Sequence, residues 1–347
     1  MEIRVCPKET PPAMPHTARW MTILTLLAGA GPAHAEFFYQ FGHTGEILPE
    51  SELPKPTPEQ VAAAPKFNPR GATGIDFTIT YLDSGTGIGF DDAALGASRK
   101  AVFEAVLNYV DGVLRYPGGD LAIRVNASET DGSGSLARGG TSFQSGANGF
   151  LPGTSFLRLD TGNDVNGANP EISITVDFGY NWNNTLGPPA IGQFDLFSVL
   201  LHEFTHGLGV TSFASSSTGV SVFAPTLAYS RWDAQLFQNV PDAKVWNQGT
   251  FVFQASTLVG GLNAVSFRGT NATRIFPGEG SPPVHTPDSF AGGSSIAHWQ
   301  QNSPIPSGTV MRPFSIAGFT TRSYQPFEVG ALVDLGYRVR SEEWVLF

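Results

Sequence analysis

The sequence predicts an α/β protein of the α+β type, in which a twisted mixed sheet with a backing helix leads to a second, buried helix and then an irregular C-terminal half. Three observations carry this expectation. Segments that alternate apolar and polar residues, as strands do, are interleaved with segments at helical spacing. One helical segment, 194–209, is apolar nearly all round for two turns, as a buried helix must be. Finally, 40 glycines and 26 prolines among 347 residues require extensive loops and exclude a helical bundle.

The first 35 residues have the order of a secretory signal. Arg4, Lys8 and Arg19 precede an apolar run at 20–27, and small residues then end in Ala33-His34-Ala35. Cleavage after Ala35 would leave an exported chain, secreted or periplasmic, that begins at Glu36. A true start at Met14 and an uncleaved anchor stay open as alternatives. The apolar run falls short of the roughly 20 residues of a membrane span, so no stable membrane insertion of the mature chain is expected. The same cut removes Cys6, the single cysteine. Disulfides, thiolate ligands and cysteine catalysis leave with it. The histidines that remain are His43, His202, His206, His285 and His298.

Residues 36–71 carry alternating prolines at Pro54, Pro56 and Pro58 and no sustained periodicity, and read as a Pro-rich arm or pro-segment on the surface. An N-terminal subdomain is expected over 72–211. Ile75, Phe77, Ile79 and Tyr81 form its first strand. Val102, Phe103, Val106, Leu107, Val110, Val113 and Leu114 define an amphipathic helix over 96–114, and Leu121, Ile123 and Val125 a second strand. Between 128 and 170 the chain is rich in Gly, Ser, Asn and Asp and reads mostly as loop. Within it Asp160, Asn163, Asp164, Asn166 and Gly167 resemble a calcium loop, although Val165 stands where such a loop needs glycine; Ca2+ is one reading and a polar turn the other. Ile172, Ile174, Val176 and Phe178 make the clearest strand. A C-terminal subdomain, 212–347, would close with a helix near 326–336, where Pro326 suits a first turn.

Charge narrows the partners. With 30 acidic against 20 basic side chains the net charge is -10, which repels a phosphate backbone, and no nucleic-acid partner is expected. Hydrophobic residues at 41% and aromatics at 12% are enough to bury a core, which excludes disorder.

The chemistry lies in Phe194-Asp195-Leu196-Phe197-Ser198-Val199-Leu200-Leu201-His202-Glu203-Phe204-Thr205-His206-Gly207-Leu208-Gly209. Asp195 can cap the helix. His202 and His206, at i and i+4, leave one helix face a turn apart and can bind one metal ion. Glu203, next to the first ligand, can reach water at the metal as a general base. A catalytic zinc normally takes three protein ligands. The position that would supply a histidine just beyond the helical glycine is Ser212, a poor ligand, so the third must come from elsewhere. His298, in Gly292-Gly293-Ser294-Ser295-Ile296-Ala297-His298-Trp299, is the leading candidate; His285 competes, and His43 is more distant. Met311 follows His298 in Gly308-Thr309-Val310-Met311-Arg312-Pro313-Phe314.

These blocks, with Phe327-Glu328-Val329-Gly330-Ala331-Leu332-Val333-Asp334-Leu335-Gly336-Tyr337, resemble the leishmanolysin branch of the metzincin zinc peptidases. There an insertion separates the helical glycine from a third histidine, which a methionine turn follows. The resemblance covers about forty residues and implies a metzincin-like fold. It further implies that Zn2+ is held by His202, His206 and His298, that Glu203 is the general base, and that Met311 is an apolar floor. It departs from the family in the long insertion and the missing cysteines. The implied activity is endopeptidase hydrolysis of a protein or peptide substrate, with the strand at 172–178 resembling the edge that receives an extended substrate. The second function class is an exported, zinc-stabilised binding or structural module without catalysis. Asn126, Asn183 and Asn271 fit glycosylation sequons.

Overall fold

The computed structural model describes residues 37–340 apart from 42–45, 129–134, 145, 216–218, 248, 254–257 and 259–263. The signal segment, its cleavage point and His43 lie outside the described residues. The described residues fall in one compact unit.

A seven-stranded mixed sheet organises that unit. Its strands are β1 (Phe37–Phe41), β2 (Glu46–Pro49), β3 (Lys66–Phe67), β4 (Asp76–Tyr81), β5 (Asp120–Ser128), β6 (Ala137–Gln144) and, after a short β7 (Gly149–Leu151) outside the sheet, β8 (Ile172–Asp177). The spatial order is β2-β1-β6-β8-β5-β4-β3. The β4, β5 and β8 strands run parallel, while β6 is antiparallel to β8. Parallel neighbours need a crossover. Helix α2 (Gly96–Val113) supplies the one between β4 and β5, following the five-residue α1 (Pro58–Ala62).

Alternation decides which side chains meet that helix. Phe77 and Ile79 of β4, Ile123 and Val125 of β5, and Ile172, Ile174 and Val176 of β8 are all fully buried beside Phe103, Val106, Leu107 and Val110 of α2. Two further helices, α3 (Thr154–Thr161) and α4 (Leu196–Gly207), complete this half. Leu196, Leu200, Leu201 and Phe204 of α4 are buried, and the Phe204 ring meets Phe77 edge-on at 6.4 Å between centroids. Beyond residue 211 the chain is irregular, with short strands, α5 (Thr270–Ile275) and the closing helix α6 (Pro326–Asp334). None of the described helices is long and apolar enough to cross a membrane.

Three expectations are corrected. The 36–71 segment is not merely a surface arm: β1 pairs with Ser142–Gln144 of β6, and Tyr39 is fully buried. Pro49 ends β2 opposite Phe38, and the other prolines fall outside the paired stretches, so the ladders survive them. The 128–170 region is not mostly loop, since it holds β6 and α3. The 172–178 strand is internal rather than an edge, because β6 covers its outer side. The residues of the calcium reading are engaged within the chain. Asp160 sits in α3 and pairs with Arg338 at 2.9 Å, Asn166 donates to the carbonyls of Asn169 and Pro170, and among the described residues only histidines form a group of three or more metal-capable side chains. The Asn183 sequon is also occupied internally, because its buried amide nitrogen donates to Gly187 O at 2.8 Å and to Asp195 Oδ1 at 3.2 Å.

Candidate metal centre

Helix α4 begins where Asp195, in extended conformation, accepts a hydrogen bond from Ser198 N at 3.1 Å, the expected cap. Arg322 pairs with the same carboxylate and anchors the start of the helix. The far end stops at glycine. Gly209 takes φ +87°, a left-handed conformation that costs glycine little. The turn carries Val210 O back to within 2.6 Å of His206 Nδ1.

Each of the three imidazoles is held in the same manner. His202 Nδ1 donates to Val310 O at 2.8 Å, His206 Nδ1 to Val210 O, and His298 Nδ1 to Ser294 O at 3.0 Å. A carbonyl can only accept, so each Nδ1 carries the proton and each Nε2 presents a lone pair. Those Nε2 atoms converge, with His298 Nε2 3.1 Å from both His202 Nε2 and His206 Nε2. Nitrogens on one tetrahedral zinc would stand about 3.3 Å apart.

Burial keeps the imidazoles neutral. It pushes His202 down to about 4 and His206 to about 3, the latter helped by His202, and holds His298 well below the ordinary histidine range. Three neutral imidazoles therefore face one another with lone pairs and no proton to share, an arrangement that a cation satisfies. The three histidines are close enough to hold a metal ion.

The third histidine arrives from a segment bracketed by backbone. Ile296 has φ +55°, an uncommon conformation for a β-branched residue, and its carbonyl accepts Trp232 Nε1 at 2.7 Å. His285 N donates to His298 O at 2.8 Å, and His285 O accepts from Ile296 N at 2.7 Å. His285 thus supports His298 through its backbone, while its ring packs beside Phe314 and stays outside the triad. Ser212 turns away from the centre and donates to the buried Asp233.

Glu203 lies in the same cleft, a space of about 240 Å3 that Ser135, Leu136, Ala137, Tyr180, Phe194 and Phe314 also line. It is buried, and its Oε2 has no hydrogen-bond partner. Burial raises it to about 8, against an opposing pull from the Arg138 charge. Gly139 makes the approach possible, since a Cβ there would overlap the Glu203 carbonyl.

Met311 is buried one residue beyond Val310, and its carbonyl accepts Trp299 N at 2.8 Å. Glu328, which sequence reasoning passed over, holds this turn from α6. Its carboxylate accepts from Val310 N at 3.0 Å and Met311 N at 2.9 Å. Tyr324 and Arg312 take structural bonds, Tyr324 to Thr205 Oγ1 at 2.7 Å and Arg312 to the carbonyls of Ser307 and Gln301. Comparison with protein-family models, with curated proteins and with solved structures finds no match.

Proposed function

We propose that the chain is an exported zinc-dependent endopeptidase, similar to the leishmanolysin branch of the metzincins. The observation that carries the reading is the pairing, in one cleft, of three converging neutral imidazoles with a buried carboxylate that has an unpartnered oxygen. A purely structural metal site has no use for that carboxylate. Three imidazoles with an open position suit zinc in its catalytic form.

His202, His206 and His298 would hold the zinc, which would supply Lewis acidity toward water and a peptide carbonyl. Glu203 takes the proton from the attacking water and returns it to the leaving amine. Val310 O, Val210 O and Ser294 O fix the three rings, so that none has to reorient as charge develops. Met311 serves as the apolar floor of the site. An extended substrate would pass the start of β6, since Ser135, Leu136 and Ala137 line the cleft beside the histidines.

The test is proteolysis of an unfolded protein by zinc-loaded wild type, beside Glu203→Ala and a chelated sample. Cleavage lost in both controls supports the reading. Zinc-loaded wild type that cleaves nothing favours a zinc-stabilised module without catalysis.

A further inference from the structure

Nine large apolar side chains are exposed among the described residues, and five of them, Leu186, Ile191, Phe314, Ile316 and Phe319, fall in two short segments. Neither 185–193 nor 313–319 contains a charged residue. The two segments touch. Gly318 N donates to Gln193 O at 2.8 Å, and a Cβ on Gly318 would lie 3.8 Å from Ile191 Cα.

Their backbones are pinned rather than loose. Arg322 donates to the carbonyls of Thr185, Leu186 and Gly187 while it pairs with Asp195, and Thr321 N donates to Ser198 Oγ at 2.7 Å. The apolar surface is thus fixed to the first turn of the metal helix. Grouped apolar side chains on a held backbone mark an interaction surface. The surface is also continuous with the cleft, because Pro313 and Phe314 line it together with Phe194.

We propose that segments 185–193 and 313–319 form a secondary docking surface for apolar side chains of an extended polypeptide substrate, several positions from the bond being cut. This rests on the endopeptidase reading. The occupant is a polypeptide because the surface continues, through Pro313 and Phe314, from the cleft that His202, Glu203, His206 and His298 line, where the endopeptidase reading places a polypeptide chain. The consequence is selection for unfolded, apolar-rich chains over short peptides.

The experiment compares wild type, Ile191→Ser and the triple variant Ile191→Ser, Ile316→Ser, Phe319→Ser, each zinc-loaded, with melting curves to verify folding. The substrates are reduced, alkylated α-lactalbumin and a peptide of about eight residues spanning one of its cleavage sites. The triple variant is expected to raise KM for the unfolded protein by about tenfold while kcat/KM for the short peptide stays within about twofold. Ile191→Ser, fully exposed, should move KM in the same direction. Unchanged KM overturns the proposal, as does an equal loss on both substrates. Loss of binding to phosphatidylglycerol vesicles with unchanged KM also overturns it and assigns the surface to lipid. Should wild type cleave nothing, the endopeptidase reading fails by itself. The surface is then judged on Kd for the labelled unfolded protein, where about tenfold weaker binding by the triple variant supports it and equal binding overturns it.

Discussion

Glu328 and His202 grip opposite ends of one peptide group. The Glu328 carboxylate accepts Met311 N–H at 2.9 Å, and His202 Nδ1 donates to Val310 O at 2.8 Å. Helix α6 is thereby linked through a single backbone amide to a candidate metal ligand. Burial raises Glu328 to about 7, opposed by the N–H groups of Met311, Gln325 and Val310. Replacing Glu328 by Gln keeps the shape but turns a donor toward one of those N–H groups. We expect a loss of about 1–3 kcal/mol in urea unfolding and roughly 10–100-fold weaker zinc binding by competition titration. Unaltered zinc affinity would show that the turn does not orient His202.

The third ligand can be decided by a pair of variants. His298→Ala should retain little zinc after dialysis, and His285→Ala should retain it stoichiometrically, because only the backbone of His285 supports His298. Metal analysis of the purified proteins gives the answer, and equal retention in both would dismiss the triad.

Gly139→Ala tests the contact between β6 and the metal helix. The added methyl has nowhere to go, since the neighbouring atoms belong to the Glu203 backbone. Overpacking of this kind costs about 1–3 kcal/mol. Unfolding and proteolysis assays should both show a loss; an unperturbed variant would mean that the helix and strand lie farther apart than described.

Glu171 gives a pH dependence remote from the histidines. Buried and accepting Ala122 N at 2.7 Å, it is raised by burial to about 7 from 4.5. Between those values the folded chain keeps a proton that the unfolded chain releases, so this group's contribution to stability is greatest below about pH 4.5 and is lost as pH rises through about 7. The full effect is on the order of 3 kcal/mol. Glu171→Gln should therefore gain on wild type as pH rises, in urea unfolding of the metal-free proteins at pH 4.5, 6 and 7.5. Parallel curves would contradict the burial argument.

What was legible in the sequence followed from periodicity. The helix expected over 96–114 spans Gly96–Val113, and the closing helix starts at Pro326 as its first-turn proline implied. The spacing of His202 and His206 placed both rings on one face. Elements built by close approach were missed. Strand β6 reads Ala-Arg-Gly-Gly-Thr-Ser-Phe-Gln because it lies against helix α4, where small residues are required, and that composition imitates a loop. Strand β1 joins the sheet at the edge of β6, and β2 adds to β1, a pairing across the chain that local periodicity does not show. Glu328 was invisible for a similar reason: a glutamate three residues after a helix cap is ordinary, and only the tertiary fold sets its carboxylate against the Val310 and Met311 amides.

The most direct test of the central claim is proteolysis of reduced, alkylated α-lactalbumin by the zinc-loaded chain, measured beside Glu203→Ala with its zinc content verified. We predict cleavage by wild type, full zinc retention by the variant and a rate lowered at least about 10²–10⁴-fold, the share that a positioned general base supplies. A zinc-loaded Glu203→Ala protein that cleaves as fast as wild type would contradict the assignment.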